Sequence, residues 1–500
     1  MACHYARRTS KDNTIYCLII CSLIFYGWWN VSYLTLVLFS LASNYIISAK
    51  LISTQTQKLK KLQLSFGIIL NLSLLCYFKY YNFAIETLTF FGFQYIETKT
   101  LILPLAISFI TFQQIAFLCD CYFQKTTQFQ LKDYLLFITF FPQLIAGPIV
   151  YGPNMFPQYK KSNAFRVCRN SLAIGFSIFL LGLFKKVFIA DNFKPFADLV
   201  FNSPSNVNIT LIEAWGGVLC YGFQLYFDFS AYSDMAIGLA RMFNIHLPIN
   251  FNSPYKAKSV IEFWHRWHIT LSTFLKDHIY IPLGGNRNGI PRKYSYLFIT
   301  MVLGGLWHGA GFNFLIWGAL HGIYLILNHA WTDSSAKKYA IFCLKSRLYS
   351  YLSLIITFVA IMYAWVFFRA ESFSAAINII QGMTGINGII IPEHYLNWAP
   401  IPNKSHWLEF FYIHTGTIPL FQGTLEISAL MLGFILIWKL PNTNQFFYNE
   451  LPAYQDCLYP QKASAIMWHP AKTWAMVFAL VSVIVLMMMN NVTEFLYYQF

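Results

Sequence analysis

Charge is what this sequence lacks most. Only 11% of its 500 residues are Asp, Glu, Lys or Arg, whereas a soluble globular protein carries about 25%. Hydrophobic residues make up 57% of the chain, and its mean hydropathy is +0.48. A chain this apolar cannot cover itself with polar surface in water. The composition therefore excludes an ordinary soluble globular protein and predicts an integral membrane protein.

Acidic residues and paired cysteines are scarce as well. The 20 acidic residues are outnumbered by 35 basic ones, so the net charge is +15. These bases lie in short loops between apolar runs, as the positive-inside rule describes. We interpret the charge as a topology signal beside membrane lipid and not as a nucleic-acid-binding surface. None of the ten cysteines belongs to a C-x-x-C pair, so neither a disulfide framework nor a zinc site is indicated.

Long apolar runs recur along the whole chain. A helix needs about 20 residues to span a bilayer, and some runs are long enough, whereas others are short or carry Pro and Gly. Such runs are typical of broken or re-entrant helices surrounded by protein. We predict an all-α, polytopic membrane protein with roughly ten to twelve full or partial crossings. The runs cover residues 14–28, 31–48, 64–80, 101–118, 134–150, 171–190, 209–227, 296–308, 312–328, 350–368, 425–440 and 473–490, with breaks predicted at Pro104, Pro142, Gly147-Pro148 and Gly304-Gly305.

No internal repeat or low-complexity segment divides the chain, so residues 1–500 are interpreted as one membrane-embedded domain. Within it, N-terminal helices are predicted in 14–80 and C-terminal helices in 425–490. A long loop is predicted at 385–424.

Basic residues also predict the orientation. Arg7, Arg8 and Lys11 precede the first run, and a second basic group follows the second run. Both flanks are therefore predicted to be cytoplasmic. The segment 82–100 then faces outward, and the long basic stretch 251–293 faces the cytoplasm.

The first polar constellation lies in that basic stretch. Residues 263–268 read Phe-Trp-His-Arg-Trp-His, and Lys276 follows. One interpretation is an interfacial helix whose Trp and Arg side chains lie at headgroup depth. The other is a functional site, since charged groups beside the membrane are costly to desolvate. On charge alone, Arg266 and Lys276 are candidates for binding an anionic substrate.

Two histidines and a carboxylate in this constellation raise the question of a metal. His265 and His268 are three residues apart, and Glu262 continues the same helical face. The spacing matches no specific metal motif. We therefore predict no metal site and interpret Glu262 as the partner of a neighbouring base or of His265.

A second constellation surrounds His308. The segment 304–311 reads Gly-Gly-Leu-Trp-His-Gly-Ala-Gly, and His321 follows inside the next apolar run. An ionisable residue within the membrane is a functional-site hypothesis by default, and glycines allow close approach of backbone. The alternative is a structural histidine that hydrogen-bonds a neighbouring helix, and we prefer that interpretation for His321.

Polar residues occur in other apolar runs too. Asp228 and Asp234 could orient the histidines, neutralise the bases of 256–276, or make plain helix-end contacts. The uncharged Gln113, Gln114, Gln143 and Gln224 are interpreted as hydrogen-bonding groups that join helices.

Several segments of the chain resemble one known family. They are similar to the membrane-bound O-acyltransferases, in particular the bacterial branch with the membrane subunit of alginate O-acetyltransferase and the D-alanine exporter of teichoic acids. Three positions depart from the family pattern: His265 and Tyr151 stand where Arg is usual, and Ala231 stands where Gly is usual. Besides the two constellations above, the matching segments, which lie between about 100 and 385, are 104–109, 111–114, 140–148, 226–230, 232–238, 250–255 and 365–369.

The resemblance implies a site and a chemistry. The family's invariant histidine falls on His308, and its second, less strict histidine on His268. His308 would act as general base or transient acyl acceptor at the middle of a funnel or channel, with His268 positioning it. The acyl donor would be a coenzyme A or carrier-protein thioester, used as co-substrate with no permanently bound cofactor. Arg266 and Lys276 would lie on the donor side.

The same resemblance implies a place and partners. The protein would be a multi-pass protein of the bacterial inner membrane that works with a periplasmic acyltransferase partner on an exported polysaccharide such as alginate. Two other classes stay open. One is a transporter or exporter subunit without acyltransferase chemistry, although no inverted repeat is visible. The other is a structural membrane subunit whose partner carries out the chemistry.

Overall fold

The structure of the protein is a computed structural model, which describes residues 11–93, 97–145, 147–166, 168–204, 207–335, 346–392, 413–416, 424–450, 453–454, 463–491 and 493–496. Arg7 and Arg8, used for the orientation, lie outside these residues, as does most of the loop predicted at 385–424. One short parallel strand pair is present, β1 (Ile389–Pro392) with β2 (Ile413–Gly416). The other regular elements of the described residues are helices, which confirms the predicted all-α fold.

Each predicted apolar run coincides with a helix or with a broken group of helices. The N-terminal helices are α1 (Lys11–Trp29), α2 (Val31–Ser53), α3 (Gln57–Leu75), α4 (Tyr81–Phe90), α5 (Ile107–Tyr122), α6 (Leu131–Thr139), α7 (Phe141–Leu144) and α8 (Gly152–Lys160). The central helices are α9 (Arg169–Phe184), α10 (Asp191–Phe201), α11 (Leu211–Met242), α12 (Val260–Trp264), α13 (Ile269–Leu275), α14 (Ile281–Leu283), α15 (Ile290–His308) and α16 (Phe312–Asp333). The C-terminal helices are α17 (Ser346–Arg369), α18 (Phe373–Met383), α19 (Thr424–Trp438), α20 (Thr443–Phe446) and α21 (Lys472–Met488).

Three π-helical turns join consecutive helices into longer rods. Cys76–Tyr80 joins α3 to α4, Lys185–Ala190 joins α9 to α10, and Lys276–Tyr280 joins α13 to α14. Single-turn π segments inside helices are frequent at functional sites. Single-turn 3₁₀ segments at Pro254–Lys256, Tyr448–Glu450 and Met489–Asn491 complete the helical elements of the described residues.

Four helical segments of the described residues are long and apolar enough to cross a membrane: Val31–Ser53, Gln57–Phe90, Arg169–Phe201 and Arg347–Arg369. Shorter apolar helices lie at Ile107–Tyr122, Phe373–Met383, Leu425–Trp438 and Lys472–Met488. Three predicted breaks are confirmed, because residues before α5, between α6 and α7, and after α7 are not helical. Pro104 and Gly147-Pro148 lie in non-helical segments, and Pro142 lies in the first turn of α7, directly after the break at Phe140.

The break predicted at Gly304-Gly305 is wrong, because α15 runs without interruption to His308. Gly305 instead lies where α15 and α16 meet most closely. A Cβ atom at Gly305 would clash with the backbone oxygen of Phe314 and would lie 3.0 Å from the Cα of Gly318. Small residues let helix backbones approach in this way. Gly305 therefore permits close packing of two helices and does not interrupt one.

The acidic residues of α11 have partners that the sequence interpretation did not anticipate. Lys186 Nζ lies 2.7 Å from Asp228 Oδ1, and Lys185 Nζ lies 2.8 Å from Asp234 Oδ2. Both aspartates lie in the middle of α11, and both lysines lie in the π-helical turn after α9. Intramembrane charges need a partner, and adjacent lysines of a neighbouring helix supply it here, in place of the bases of 256–276 that the sequence interpretation considered.

The prediction that glutamines join helices is confirmed for two of them. Gln114 Oε1 accepts a hydrogen bond from the Tyr134 hydroxyl at 2.8 Å, which joins α5 to α6. Gln143 Nε2 donates to the Phe137 carbonyl at 2.8 Å, which holds α7 on α6.

Candidate functional site

His308 is the last residue of α15 and is buried, with 4% of its surface exposed. Three aromatic rings surround its imidazole almost edge-on. The ring centroids of Trp307, Trp317 and Phe368 lie 4.9, 5.0 and 5.2 Å from it. These rings exclude water from most of the imidazole, so a proton transfer there would take place in a medium of low polarity.

One side of this aromatic cage opens on a cavity of ≈ 250 Å³. His308 and Trp307 form one wall of the cavity, and the non-helical segment 102–106 with the start of α5 forms another. Lys79 is the cationic residue among its lining residues, and Phe495 comes from the C-terminal segment. His308 is thus buried in the protein and still borders a space that a small molecule can occupy.

The C-terminal segment is held in place by an acidic residue of α11. Asp228 Oδ2 accepts a hydrogen bond from the Leu496 backbone N–H at 3.0 Å. The Phe495 ring stacks on Tyr232 with centroids 4.6 Å apart. Asp228, a candidate for orienting a histidine, therefore holds the backbone next to Phe495, which lines the cavity.

Lys79 is the residue of this site that the sequence interpretation missed. Its ammonium donates to the backbone carbonyls of Trp307 at 2.6 Å and of His308 at 3.0 Å. Lys79 lies in the aromatic segment 77–81, a pattern typical of residues at the membrane interface. That pattern indicated an interfacial lysine and not a residue of the site. The available signal was its position inside the apolar run 64–80, because an intramembrane lysine is itself a functional-site hypothesis.

The second predicted histidine, His268, lies on the other side of the Trp307 indole. It is fully buried, its ring centroid is 6.3 Å from that of Trp307, and Phe229 contacts it edge-on at 4.8 Å. The structure therefore brings His308 and His268 together around one tryptophan, although 40 positions separate them in the sequence.

The backbone of His268 is held in an unusual conformation. Its φ of 42° and ψ of 55° lie in the left-handed region, which costs free energy for a residue with a side chain. Hydrogen bonds of a neighbouring segment compensate this cost. Asn250 Oδ1 accepts one from the Thr270 hydroxyl at 2.7 Å and one from the Thr270 backbone N–H at 3.2 Å. Strained residues held this firmly cluster at functional sites.

Arg266 lies beside His268 but is committed to structural contacts. Its guanidinium makes a 2.8 Å contact with Glu262 Oε1 from each of two nitrogens and donates to the Asn252 carbonyl at 2.9 Å. The expectation that Glu262 pairs with a neighbouring base is thereby confirmed. Burial lowers the pKa of His265 below its usual value. Among the described residues, no group of three or more His, Cys, Asp or Glu side chains is arranged to hold a metal ion.

Lys276 is a different kind of residue, because 55% of its side chain is exposed and its partner Asp277 lies 3.5 Å away. Neither Lys276 nor Arg266 lines the cavity beside His308. Their assignment to the donor side therefore stays a prediction.

A second cavity, of ≈ 240 Å³, lies near the other end of α5. Its lining residues include Asp120 near the end of α5, Lys125 just after α5, Tyr151, and Thr273 and Asp277 from the segment after His268. The first cavity touches Ile107 and the second touches Asp120, and these two residues are about 20 Å apart at the rise of an α-helix. Apolar side chains between them form one buried cluster: Phe109, Phe112, Ile115, Ala116, Cys119, Ile149, Leu271, Phe274, Leu275 and Trp307.

His321 is fully buried in the middle of α16. Its Nδ1 accepts a hydrogen bond from Trp264 Nε1 at 3.3 Å, and Trp317 packs on its ring at 4.7 Å. It does not line the cavity beside His308. This agrees with the preferred interpretation of His321 as a histidine that joins helices.

Comparison with known proteins agrees with this geometry. A family model described as MBOAT, membrane-bound O-acyltransferase family, matches residues 23–370. A peptidoglycan O-acetyltransferase of Helicobacter pylori is 46% identical, over 87% of this chain and 84% of that protein. A probable alginate O-acetylase AlgI of Pseudomonas aeruginosa is 40% identical, over 87% and 77%. A teichoic acid D-alanyltransferase of Streptococcus thermophilus is 29% identical over 47% of this chain and 59% of that protein.

Proposed function

Because the chain belongs to the membrane-bound O-acyltransferase family, we propose that it transfers acetyl groups from a thioester to hydroxyls of an exported polysaccharide, with His308 at the reacting centre. That the protein is a multi-pass membrane acyltransferase follows from the family match and from its relatives. The observation that carries the finer proposal is the buried His308 imidazole at the wall of a cavity.

The reaction needs one group that takes up a proton. The hydroxyl oxygen of the acceptor attacks the thioester carbonyl, the C–O bond forms, and the C–S bond breaks. The hydroxyl proton passes to the imidazole of His308 and from there to the leaving thiolate, so the products are an ester and a thiol. Histidine suits this role because its neutral ring accepts a proton near pH 7. A dry, aromatic site also keeps water from competing as acceptor.

The two cavities support transfer between the two faces of the membrane. The cavity beside Asp277 belongs to the stretch predicted to be cytoplasmic, and the cavity beside His308 is lined by 102–109, next to the segment predicted to face outward. In the proposal, the thioester approaches from the cytoplasmic side, and the acceptor, or a periplasmic partner protein that carries the acetyl group onward, approaches from the other. Apolar side chains of the buried cluster lie between the two cavities, and several of them also line a larger apolar cavity of ≈ 870 Å³.

The names of the relatives support acetyl as the group and a polysaccharide as the acceptor. One is named a peptidoglycan O-acetyltransferase and another a probable alginate O-acetylase. Both polymers carry sugar hydroxyls, so the same chemistry serves either of them. The alternative of an exporter subunit without acyltransferase chemistry has no specific observation in its favour.

The test is label transfer in membrane vesicles of defined orientation. Vesicles with the cytoplasmic face outward receive acetyl-coenzyme A or acetyl-carrier protein that is labelled in the acetyl group. The label bound to polysaccharide is then counted after chemical release of the esters. Wild type should transfer label from a donor supplied at the cytoplasmic face. The rate of transfer by His308→Ala should be about 10²- to 10⁴-fold lower than that of wild type, which is the usual contribution of a positioned general base.

The amount of protein in the membrane is measured in parallel, so that loss of rate is separated from loss of protein. Transfer by His308→Ala at the wild-type rate would refute the role of His308. Transfer only from a donor supplied at the outer face would refute the proposed direction. Export of unacetylated polymer that depends on the protein, without any label transfer, would favour the exporter alternative.

A further inference from the structure

The end of helix α15 is where His308 meets a distant part of the chain. Roughly the last four carbonyl groups of any α-helix lack partners within it. In α15, three of these carbonyls accept hydrogen bonds from two residues at the junction of α3 and α4. Tyr80 donates its hydroxyl proton to Leu306 O at 2.8 Å, and Lys79 donates to Trp307 O and His308 O at 2.6 and 3.0 Å.

Lys79 also interacts with the ring of one of these residues and with the helix as a whole. Its ammonium lies 5.9 Å from the centroid of the Trp307 ring, within the range of a cation–π contact. A positive charge at a helix C-terminus is further stabilised by the helix dipole. One half-buried charge therefore has four favourable interactions, all with the segment that ends at His308, which accounts for a lysine in an otherwise apolar run.

The chain beyond His308 has little conformational restraint of its own. Residues 309–311 read Gly-Ala-Gly, and glycine leaves the backbone free to adopt many conformations. The direction in which the His308 side chain leaves the helix therefore depends on contacts from outside that loop. Two of these contacts are the hydrogen bonds that Lys79 donates to the last two carbonyls of α15.

We infer that Lys79 is a positioning residue for acyl transfer: by holding the last two carbonyls of α15, it fixes the His308 imidazole at the cavity wall. This inference rests on the proposed function of His308. A lysine is suited to the task because its ammonium has three N–H donors, so one side chain reaches two successive carbonyls. Lys79 itself lines the cavity beside His308, so the same charge also favours an acceptor of partial negative charge there.

The test compares kcat and KM in the label-transfer assay, with the labelled thioester that wild type accepts. Lys79→Met keeps the apolar stem and removes the donors and the charge. It should lower kcat about 10- to 100-fold, since a misplacement of about 1 Å at a reacting group costs about that much. KM for the thioester should stay within about twofold, because no donor-binding contact is lost. Lys79→Arg, which keeps the charge and N–H donors, should recover part of kcat.

Tyr80→Phe is the matched control. It removes one neutral hydrogen bond from the same helix end, to a carbonyl two residues before His308, and should lower kcat less than fivefold on the usual scale of neutral hydrogen bonds. As an independent readout, the rate at which diethyl pyrocarbonate modifies His308 is followed by peptide mass spectrometry. It should change in Lys79→Met and stay at the wild-type rate in Tyr80→Phe.

The inference is overturned if Lys79→Met keeps the wild-type kcat, or if its main effect is a raised KM for the thioester. If Lys79→Met does not accumulate in membranes, Lys79→Gln takes its place with the same expected kcat loss, and a wild-type kcat in that variant overturns the inference. Failure of the proposed function is a different result, namely full activity of His308→Ala.

Discussion

His308 and His321 occupy two regions of the molecule that share burial and aromatic neighbours but differ in helix position and in contact with a cavity. Both histidines are buried, at 4% and 0% exposure, and both pack on Trp317, with ring centroids 5.0 and 4.7 Å away. His308 ends its helix and borders a cavity. His321 lies within a helix, where Trp264 donates to its Nδ1. The comparison teaches that burial and aromatic surroundings are common to both histidines, whereas a place at the wall of this cavity belongs to His308 and is the difference on which the proposed roles rest.

The largest expected difference between the two histidines is in the acylation rate of their Gln variants. His308→Gln keeps hydrogen-bonding capacity but cannot take up a proton. Its acylation rate should therefore be about 10²- to 10⁴-fold lower than that of wild type. His321→Gln should keep nearly the wild-type rate per molecule and accumulate to a lower level, because it disturbs packing between α12 and α16. His268→Ala should fall between them. The measurement is label transfer divided by the amount of protein in the membrane.

Equal losses in His308→Gln and His321→Gln, at equal protein levels, would remove the distinction between the two regions. Full activity of a well-expressed His308→Gln would show that the proton goes elsewhere.

The contact between α15 and α16 carries both histidines, so disturbing it should affect both regions together. Gly305→Ala would place a methyl group against the backbone of Phe314, and overpacking of this kind costs about 1 to 3 kcal/mol. We expect a lower thermal unfolding temperature in detergent, with activity lost in parallel. Gly311→Ala is the control, because its Cβ would meet its nearest neighbour at an ordinary 3.7 Å. Similar unfolding temperatures for the two variants would argue against close packing at Gly305.

The smallest expected effects concern the two basic residues predicted on the donor side. Lys276 is exposed, and an exposed charge contributes at most about 1 kcal/mol. Lys276→Ala should therefore raise KM for the thioester by no more than about fivefold at unchanged kcat. Arg266→Ala leaves Glu262 without its ion-pair partner and should lower the amount of folded protein instead. Lys58→Ala, another exposed base on the side predicted to be cytoplasmic, is the control for loss of general charge. An unchanged KM in Lys276→Ala would leave Lys276 without a role in donor binding.

The sequence predicted the membrane location and the helical fold correctly because these depend on local patterns. An apolar run of spanning length forms a helix in lipid whatever surrounds it, since the backbone has no other way to satisfy its hydrogen bonds. Pro104, Pro142 and Gly147-Pro148 break helices for equally local reasons. Gly304-Gly305 was interpreted wrongly because the same glycine that permits a break also permits close packing, and only the neighbouring helix decides between them.

The partners of the charged residues depended on the tertiary structure. Lys79 contacts Trp307 and His308, which are separated from it by 228 and 229 positions. Asp228 contacts the backbone of Leu496, which is 268 positions away. No periodicity or propensity relates segments so far apart, because their contact results from the packing of several helices at once. The sequence by itself determined which residues lie in the membrane and which histidines to examine. The packing of α3, α5, α15 and α16 decided that His308, and not His321, borders a cavity, since a cavity exists only where several helices leave a space between them.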